Sequence, residues 1–429
     1  MAVRDRVTIG VPIYRGERFL EETLHAIQRQ THIAFDVIMS IDSPDPVCEA
    51  ICAKFLGDQR FKLVVQPQRL GWVAQINWLI GQVTNDFWYY HQQDDLTDPT
   101  YLEALIGHAH RYPSAALVYC DIEPIGRVSG EIFSAPSVLG ASPFARVMTM
   151  LQEHFPAFAF RGLTRASALA QAGPVPVNAV DNFGVDISWL TGVARCGELH
   201  RVPQTLYRKR YHDSNTESRW WKQQKPQQLT CWAHHCVDML AQAMQVPGSP
   251  QQSRLLWQAA ISRLTAPEPA GHFMKVDGLT PEDRWTLLDT FLDRAQFSHP
   301  ENVPALLDAD WRDIRDWTAA AFWIPRSEPV DIVAFGPEIV AGRPFNVQPD
   351  GGSALWLRTS RLVPPKTAIR LGGTTLETVI NGTTLAAAVP SQITAQAGEC
   401  PLVLVGPDGK VWSNTVIVPV IELKTTPNA

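Results

Sequence analysis

The chain has 429 residues, 45% of them hydrophobic and 19% charged, with a formal net charge of −6. That length holds two or three domains, and the composition is that of a globular protein rather than a disordered or fibrous one. A mildly acidic balance carries no general signal for nucleic acid or for a membrane surface.

Seven cysteines, at 48, 52, 120, 196, 231, 236 and 400, are odd in number and scattered. They read as reduced thiols of a cytoplasmic protein rather than a disulfide framework. Cys231 and Cys236 flank His234 and His235, but that spacing matches no common zinc pattern. The start, MAVRDRVTIG, lacks the apolar core of a secretory leader. No stretch reaches the length of an uncharged membrane span, so membrane contact is expected only as peripheral association at the inner face.

In chain order, Val7–Pro12 predicts a short apolar strand that ends in a polar turn at Gly16. Arg18–Gln30 predicts a helix with Leu20, Leu24 and Ile27 on one face. Phe35–Ile41 reads as a strand ending in Asp42-Ser43-Pro44. A helix near Val47–Phe55, a strand over Phe61–Gln66 and a helix over Leu70–Gln82 follow. The run from Phe87 to His91 is a buried strand closed by two adjacent acids, Asp94 and Asp95. Asp98-Pro99 is a helix-start signal, and Leu102, Leu105, Ile106 and Ala109 continue at helical spacing. Ala115–Asp121 closes the series. Strands alternating with helices predict a mostly parallel α/β sheet covered on both faces. Acids at the carboxyl end of such a strand lie where ligands bind in open α/β sheets. Hard oxygen ligands there suit Mg²⁺ or Mn²⁺ riding on substrate phosphates. Two acids by themselves more often mark an acidic solvated turn, and the flanking sequence shifts that balance.

From Ile122 to Phe160 the pattern loosens, with a helix expected near Phe144–Gln152 and a strand at Phe155–Phe160. Ala166–Ala172 and Val185–Arg195 predict helices, and Leu199–Tyr207 a strand that runs into the basic RKRY before His212. From Glu217 to about Pro325 amphipathic helices dominate, among them Leu229–Met244, Ser253–Leu264 and Pro281–Ala295, with a break at Pro267–Gly271. The tail from Val330 has short β runs with turns at Gly351-Gly352, Gly372-Gly373, Asn381-Gly382 and Asp408-Gly409. That pattern predicts a small β-sandwich. Three domains are expected, over residues 1–216, 217–327 and 328–429.

The ordered set VTIGVPIY (Val7–Tyr14), QTHIAFDVIMSID (Gln30–Asp42), GWVAQIN (Gly71–Asn77), Asp94-Asp95, Tyr119–Asp121, GVDISWL (Gly184–Leu190) and VPQTLYRKRYH (Val202–His212) resembles the family-2 glycosyltransferases. The resemblance spans roughly residues 6–216. It implies a GT-A fold, a Rossmann-like sheet with helices on both faces. It also implies transfer of a sugar from a nucleotide sugar, UDP above all, to a glycan or glycoconjugate, with inversion and a divalent cation. On the matching positions Asp94 holds the metal and diphosphate, followed by Asp95, with His212 near the same atoms. Asp42 reads the nucleobase edge, Pro12 and Tyr14 line the base pocket, and Asn77 and Gln92 contact the nucleotide. Asp186 is the base that takes the acceptor proton, with Asp181 as fallback.

Three positions depart from the family pattern: Gln92 stands where an Asp is usual, Ile76 where an Arg is, and Val185 where a Glu is. Plainer roles stand beside the catalytic ones. Asp186 is also an ordinary helix-start acid, and His212 an ordinary loop histidine. Arg208 and Arg210 pair with phosphate or are simply solvated. Trp189, Trp220 and Trp221 stack on sugar or sit in the core. The tail resembles an IPT/TIG-type immunoglobulin-like domain through Gly336-Pro337, Gly342, LAAAVP (Leu385–Pro390), Gly398 and Ser413–Thr415. That implies an interaction module, with protein partners or self-association. A non-catalytic relative that binds glycan or protein is the alternative reading of the whole chain. A nucleotidyltransferase is a third, and PIYRGERF makes a poor phosphate loop for it.

Overall fold

Val7, Ile9, Val11 and Ile13 are all fully buried, and the residues between them are small or covered. That makes β1 (Val7–Ile13) a central strand with no wet face. The computed structural model describes residues 5–153, 155–213, 215, 219–220, 222–264, 280–298, 330–360, 363, 367–381, 384–406 and 409–422. Two compact units divide the chain, residues 1–279 with 285–306 and residues 280–284 with 307–429.

In the first unit β1 is followed by α1 (Leu20–Gln28), β2 (Phe35–Ile41), α2 (Pro46–Ala53), β3 (Phe61–Val65), α3 (Trp72–Ile80) and β4 (Phe87–Tyr90). α2 starts where the chemistry demands: Asp45 accepts from the Val47 and Cys48 N–H groups at 3.1 Å each, and Pro46 needs no partner there. β5 (Leu96–Thr97), α4 (Tyr101–Arg111), β6 (Ala115–Gly126), α5 (Pro143–Gln152), β7 (Leu163–Arg165), α6 (Ala166–Ala172), α7 (Val185–Cys196) and β8 (Glu198–Tyr211) complete the sheet. Its strand order is β3-β2-β1-β4-β7-β6-β8-β5. β1 pairs in parallel with β2 and β4, β2 with β3, and β6 with β8. Only β7 and β5 run against their neighbours. The predicted mostly parallel α/β sheet is therefore the one observed.

Two segments differ from the sequence reading. The strand expected at Phe155–Phe160 is a 3₁₀ turn, Ala157–Arg161, with the strand following at Leu163–Arg165. Phe155 and Phe160 are both buried, and residues five apart in a strand would face opposite sides. The turn lets Phe160 pack on both Tyr90 and Trp189, each at 5.2 Å between ring centroids. The other difference is length, because β6 and β8 stay paired through Gly126 and Tyr211. That carries the RKRY segment along the sheet instead of into a loop.

Helices Lys225–Met244, Pro250–Leu264 and Pro281–Ser298 follow. The first packs on α7 and the second on the first and on α5. Cys231 and Cys236 are free thiols on the first of them. Trp221, the break at Pro267–Gly271, Gly382, Asp408 and the boundary between residues 327 and 328 lie outside the described residues.

Among the described residues of the second unit nine strands form two sheets. They are β9 (Ile332–Gly336), β10 (Ile339–Val340), β11 (Ser353–Thr359), β12 (Ala368–Leu371), β13 (Thr374–Thr375), β14 (Thr378–Asn381), β15 (Thr384–Val389), β16 (Gly398–Val405) and β17 (Val416–Ile421). The sheets run β10-β17-β16-β12-β13 and β14-β15-β11-β9. One apolar cluster draws on both, including Leu355, Leu357, Leu385, Leu402 and Val418. Gly372 and Gly373 take φ of 55° and 85° in the two-residue turn between β12 and β13, which side chains with a Cβ resist.

Candidate functional site

The carboxyl ends of β1, β2 and β4 lie side by side, because the three strands are parallel neighbours. Past the ends of β1 and β2 is a cleft of about 300 Å³ lined by Ile13, Tyr14, Ile41, Ser43, Asp45 and Arg69. Pro12 lies in β1 opposite Ser40 of β2. The Arg69 guanidinium sits 4.2 Å from the Tyr14 ring centroid, a cation–π distance. Asp42 is buried at the end of β2. Its carboxylate accepts from the Leu70 and Gly71 N–H groups at 2.8 and 3.1 Å and lies 3.8 Å from Arg69. Asp42 therefore holds the turn into α3.

Past β4 the chain carries Gln92, Gln93, Asp94 and Asp95, and their side chains part company. Gln93 exchanges hydrogen bonds with the Tyr14 backbone, at 2.9 Å to Oε1 and 3.0 Å from Nε2, which ties the β1 turn to the β4 end. Asp94 Oδ2 meets His212 Nε2 at 2.6 Å, with both side chains mostly covered but reached by solvent. The Asp94 carbonyl accepts from Arg210 Nε at 2.9 Å, and Arg210 also reaches Glu22 at 2.8 Å. Phe19 lies beneath, 5.3 Å from the His212 ring and 4.5 Å from the Arg210 guanidinium.

Asp95 departs from the expected ligand role. It is fully buried. Its Oδ1 accepts from the Arg210 N–H at 2.7 Å, and its Oδ2 from the Tyr207 hydroxyl at 2.8 Å and Arg161 Nε at 3.2 Å. Burial raises the pKa of this carboxyl, while Arg161, the Arg210 N–H and the Tyr207 hydroxyl oppose the rise. The oxygens are used inside the protein because β8 runs on past Tyr207 beside the strand end. Gln92 is held by the same cation: its Oε1 accepts from Arg161 at 2.7 Å. Asn77 departs too, for its amide is used in both directions by Val175, at 2.7 and 2.8 Å.

Asp186 stands in the first turn of α7, where its Oδ1 accepts from the Ile187 N–H at 2.9 Å. Burial raises its pKa, and the charges of Arg161 and Lys209 pull the other way. Arg161 thus acts on Asp95, Gln92 and Asp186 together. The loop that delivers Asp186 is unusual: Asp181 and Asn182 take φ of 55° and 54°, and Gly184 follows at 66°. Asn and Asp tolerate that region better than most residues. Asn178 pins the loop by donating to the Phe183 carbonyl and to Asp238 of helix Lys225–Met244, both at 3.0 Å. A Cβ on Gly184 would run into the His235 ring of the same helix. Asp181 itself is exposed and pairs with Arg219 at 3.5 Å.

Arg208 pairs with Glu123 at 2.9 Å, and Trp189 is core. Arg161 and Gln93 escaped the sequence reading. A paired QQDD hinted at Gln93; nothing local marked Arg161, which lies 66 residues from Asp95. Among the described residues the three-ligand grouping of His, Cys, Asp or Glu is Glu17, Asp45 and Cys48, away from Asp94. No helix among the described residues is long and apolar enough to cross a membrane.

The family described as Glycosyl transferase family 2 matches residues 8–168. A curated relative, the glycosyltransferase GlyA of Streptococcus pneumoniae serotype 4, is 25% identical over 105 residues, 24% of this chain and 15% of that protein. The chain thus spans a small part of the length of that relative. The crystal structure of S. aureus TarS superposes with a TM-score of 0.51 at 11% identity, over 99% of this chain and 79% of that one, a likeness of fold alone. The fold is the GT-A arrangement, and the stretch similar to the glycosyl transferase family 2 is residues 8–168.

Proposed function

We infer that the first unit moves a sugar from a nucleotide sugar, a UDP-sugar, to a hydroxyl of a glycan or glycoconjugate, with inversion at the anomeric carbon. The observation that carries the reading is the Asp94–His212 pair, 2.6 Å apart past the carboxyl end of β4, next to the β1 turn whose Tyr14 lines the cleft. Asp94 and His212, facing one another just past the ends of β4 and β8, would hold a divalent cation such as Mn²⁺ or Mg²⁺. A cation held there neutralises charge on the leaving diphosphate. Asp95, with both oxygens engaged internally, positions Asp94 rather than binding metal.

Asp186 is the base of the reading. It takes the acceptor hydroxyl proton as that oxygen bonds to the anomeric carbon and the bond to the diphosphate breaks. A raised pKa supports that role, since a stronger base accepts the proton more readily. Arg161 holds Gln92 and Asp95 in place on one side and tempers Asp186 on the other. The domain boundaries proposed are residues 1–216, 217–327 and 328–429. The last of these is proposed as an immunoglobulin-like module for a protein partner or a second copy. The setting proposed is the cytoplasmic side of a membrane, in polysaccharide biosynthesis.

A donor screen tests the reading. UDP-, GDP- and dTDP-sugars are titrated with and without Mn²⁺, and unfolding temperature is followed. A Mn²⁺-dependent rise for one nucleotide, lost in Asp94→Ala, is the expected result. No rise with any donor in a folded protein sinks it in favour of a non-catalytic binding module. Proton NMR of the product anomer then decides inversion against retention.

A further inference from the structure

At the opposite edge of the first sheet, where β6 and β8 begin, two imidazoles face each other. His108 lies in the last turn of α4, and His200 is the third residue of β8. His108 Nε2 and His200 Nδ1 are 3.4 Å apart. The other nitrogen of His200, Nε2, is 3.0 Å from Glu198 Oε2. Glu198 is held firmly: it accepts from Ser114 Oγ at 2.6 Å and from the Gly140 N–H at 3.0 Å. Those donors, with His200, hold its carboxyl down at about 2, so it is a charged acceptor at any ordinary pH. The His200 Nε2 must then carry the proton, which leaves Nδ1 as a bare lone pair aimed at His108. Tyr112 walls the pair on one side, its ring 4.6 Å from His108 and 4.7 Å from His200. His200 is nearly buried, while His108 is half-buried and open to solvent.

We propose that His108 Nε2 and His200 Nδ1 form a binding site for a borderline transition-metal ion, Zn²⁺ first, with water completing its coordination. Zinc–nitrogen bonds of about 2.1 Å at the tetrahedral angle set two ligand nitrogens about 3.4 Å apart, the separation found here. A carboxylate that orients a histidine through its second nitrogen is the usual support of such a ligand. Two neutral imidazoles select Zn²⁺, Ni²⁺ or Cu²⁺ over Mg²⁺ and Ca²⁺. Binding needs no net proton release from a neutral pair, because His108 need only shift its proton from Nε2 to Nδ1. The ion ties the end of α4 to the start of β8, far from Asp94.

The test is calorimetric titration of the full chain with ZnCl₂ and, separately, MgCl₂. Wild type is compared with His108→Gln, His200→Gln, Glu198→Gln and, as a control for the Asp94 region, His212→Gln. Circular dichroism checks the fold of each. One zinc equivalent is expected to vanish, or to weaken at least tenfold, in both His108→Gln and His200→Gln while remaining in His212→Gln. Glu198→Gln is expected to weaken it about 10- to 100-fold. Zinc should raise the unfolding temperature of wild type and of His212→Gln, but not of folded His200→Gln. No zinc binding by wild type, or the same stoichiometry and affinity in both folded His108→Gln and His200→Gln, overturns the proposal. The pair is then an imidazole–imidazole hydrogen bond only.

Discussion

On the solvent side of the β4 end, Asp94 presents its carboxylate to His212 at 2.6 Å. On the interior side, one residue on, Asp95 spends both oxygens on Arg161, Tyr207 and the Arg210 backbone. The two acids are adjacent in sequence at one strand end, and the backbone turns one toward solvent and the other into the interior. A carboxylate with one polar partner and access to solvent can exchange that partner for a ligand. One saturated with buried donors cannot, because each donor it dropped would be left unpaired. A DD pair thus divides into one solvent-reached member and one buried, internally bonded member.

That division predicts separable failures. Asp186→Asn, which removes the proposed base, has the largest expected effect. Removing a general base costs about 10²–10⁴ in kcat, measured as sugar transfer with donor binding unchanged. Its raised pKa also sets the acid limb of the kcat profile above the ordinary carboxylate range. Asp95→Ala comes next, and its damage is to folding. It removes the buried carboxylate that faces the Arg161 guanidinium, and breaking such a buried pair costs about 3–5 kcal/mol of stability, read by urea denaturation. Asp94→Ala reverses that signature. Losing one preorganised electrostatic group costs about 10²–10³ in kcat, with the denaturation midpoint close to wild type. Equal stability losses in the two aspartate variants would erase the distinction between them.

The smallest effect concerns His91, at the root of both acids. It is fully buried, and burial pushes its imidazole down to about 4 from an unfolded value of 6.5. Between those values the unfolded chain binds the extra proton, so stability rises with pH. The stability present above pH 6.5 is lost on acidification toward 4, by roughly 3 kcal/mol from this group. His91→Gln should flatten the slope of unfolding temperature against pH in that window. His234, also pushed down to about 4 by burial, leaves part of the slope in place.

The alternation of strand and helix through β6 was legible because each element buries an unbroken apolar face, and burial follows local pattern. Asp94 was legible because it ends such a run just before a helix. The turn at Ala157–Arg161 was not, because two phenylalanines five apart suit several backbones until Tyr90 and Trp189 are there to receive them. Asn77 looked like a nucleotide contact and proved to clamp Val175, a partner 98 residues away.

By itself, then, the sequence determined the α/β plan, the carboxyl edge where its acids gather, and the β-rich tail, all of which follow from periodicity and turn chemistry acting over a few residues. The tertiary structure alone decided which acid faces outward, that Arg161 links Asp95, Gln92 and Asp186, and that His108 meets His200. Those outcomes depend on side chains brought together across strands and loops, where charge and hydrogen-bond geometry act through space and leave no trace in local spacing.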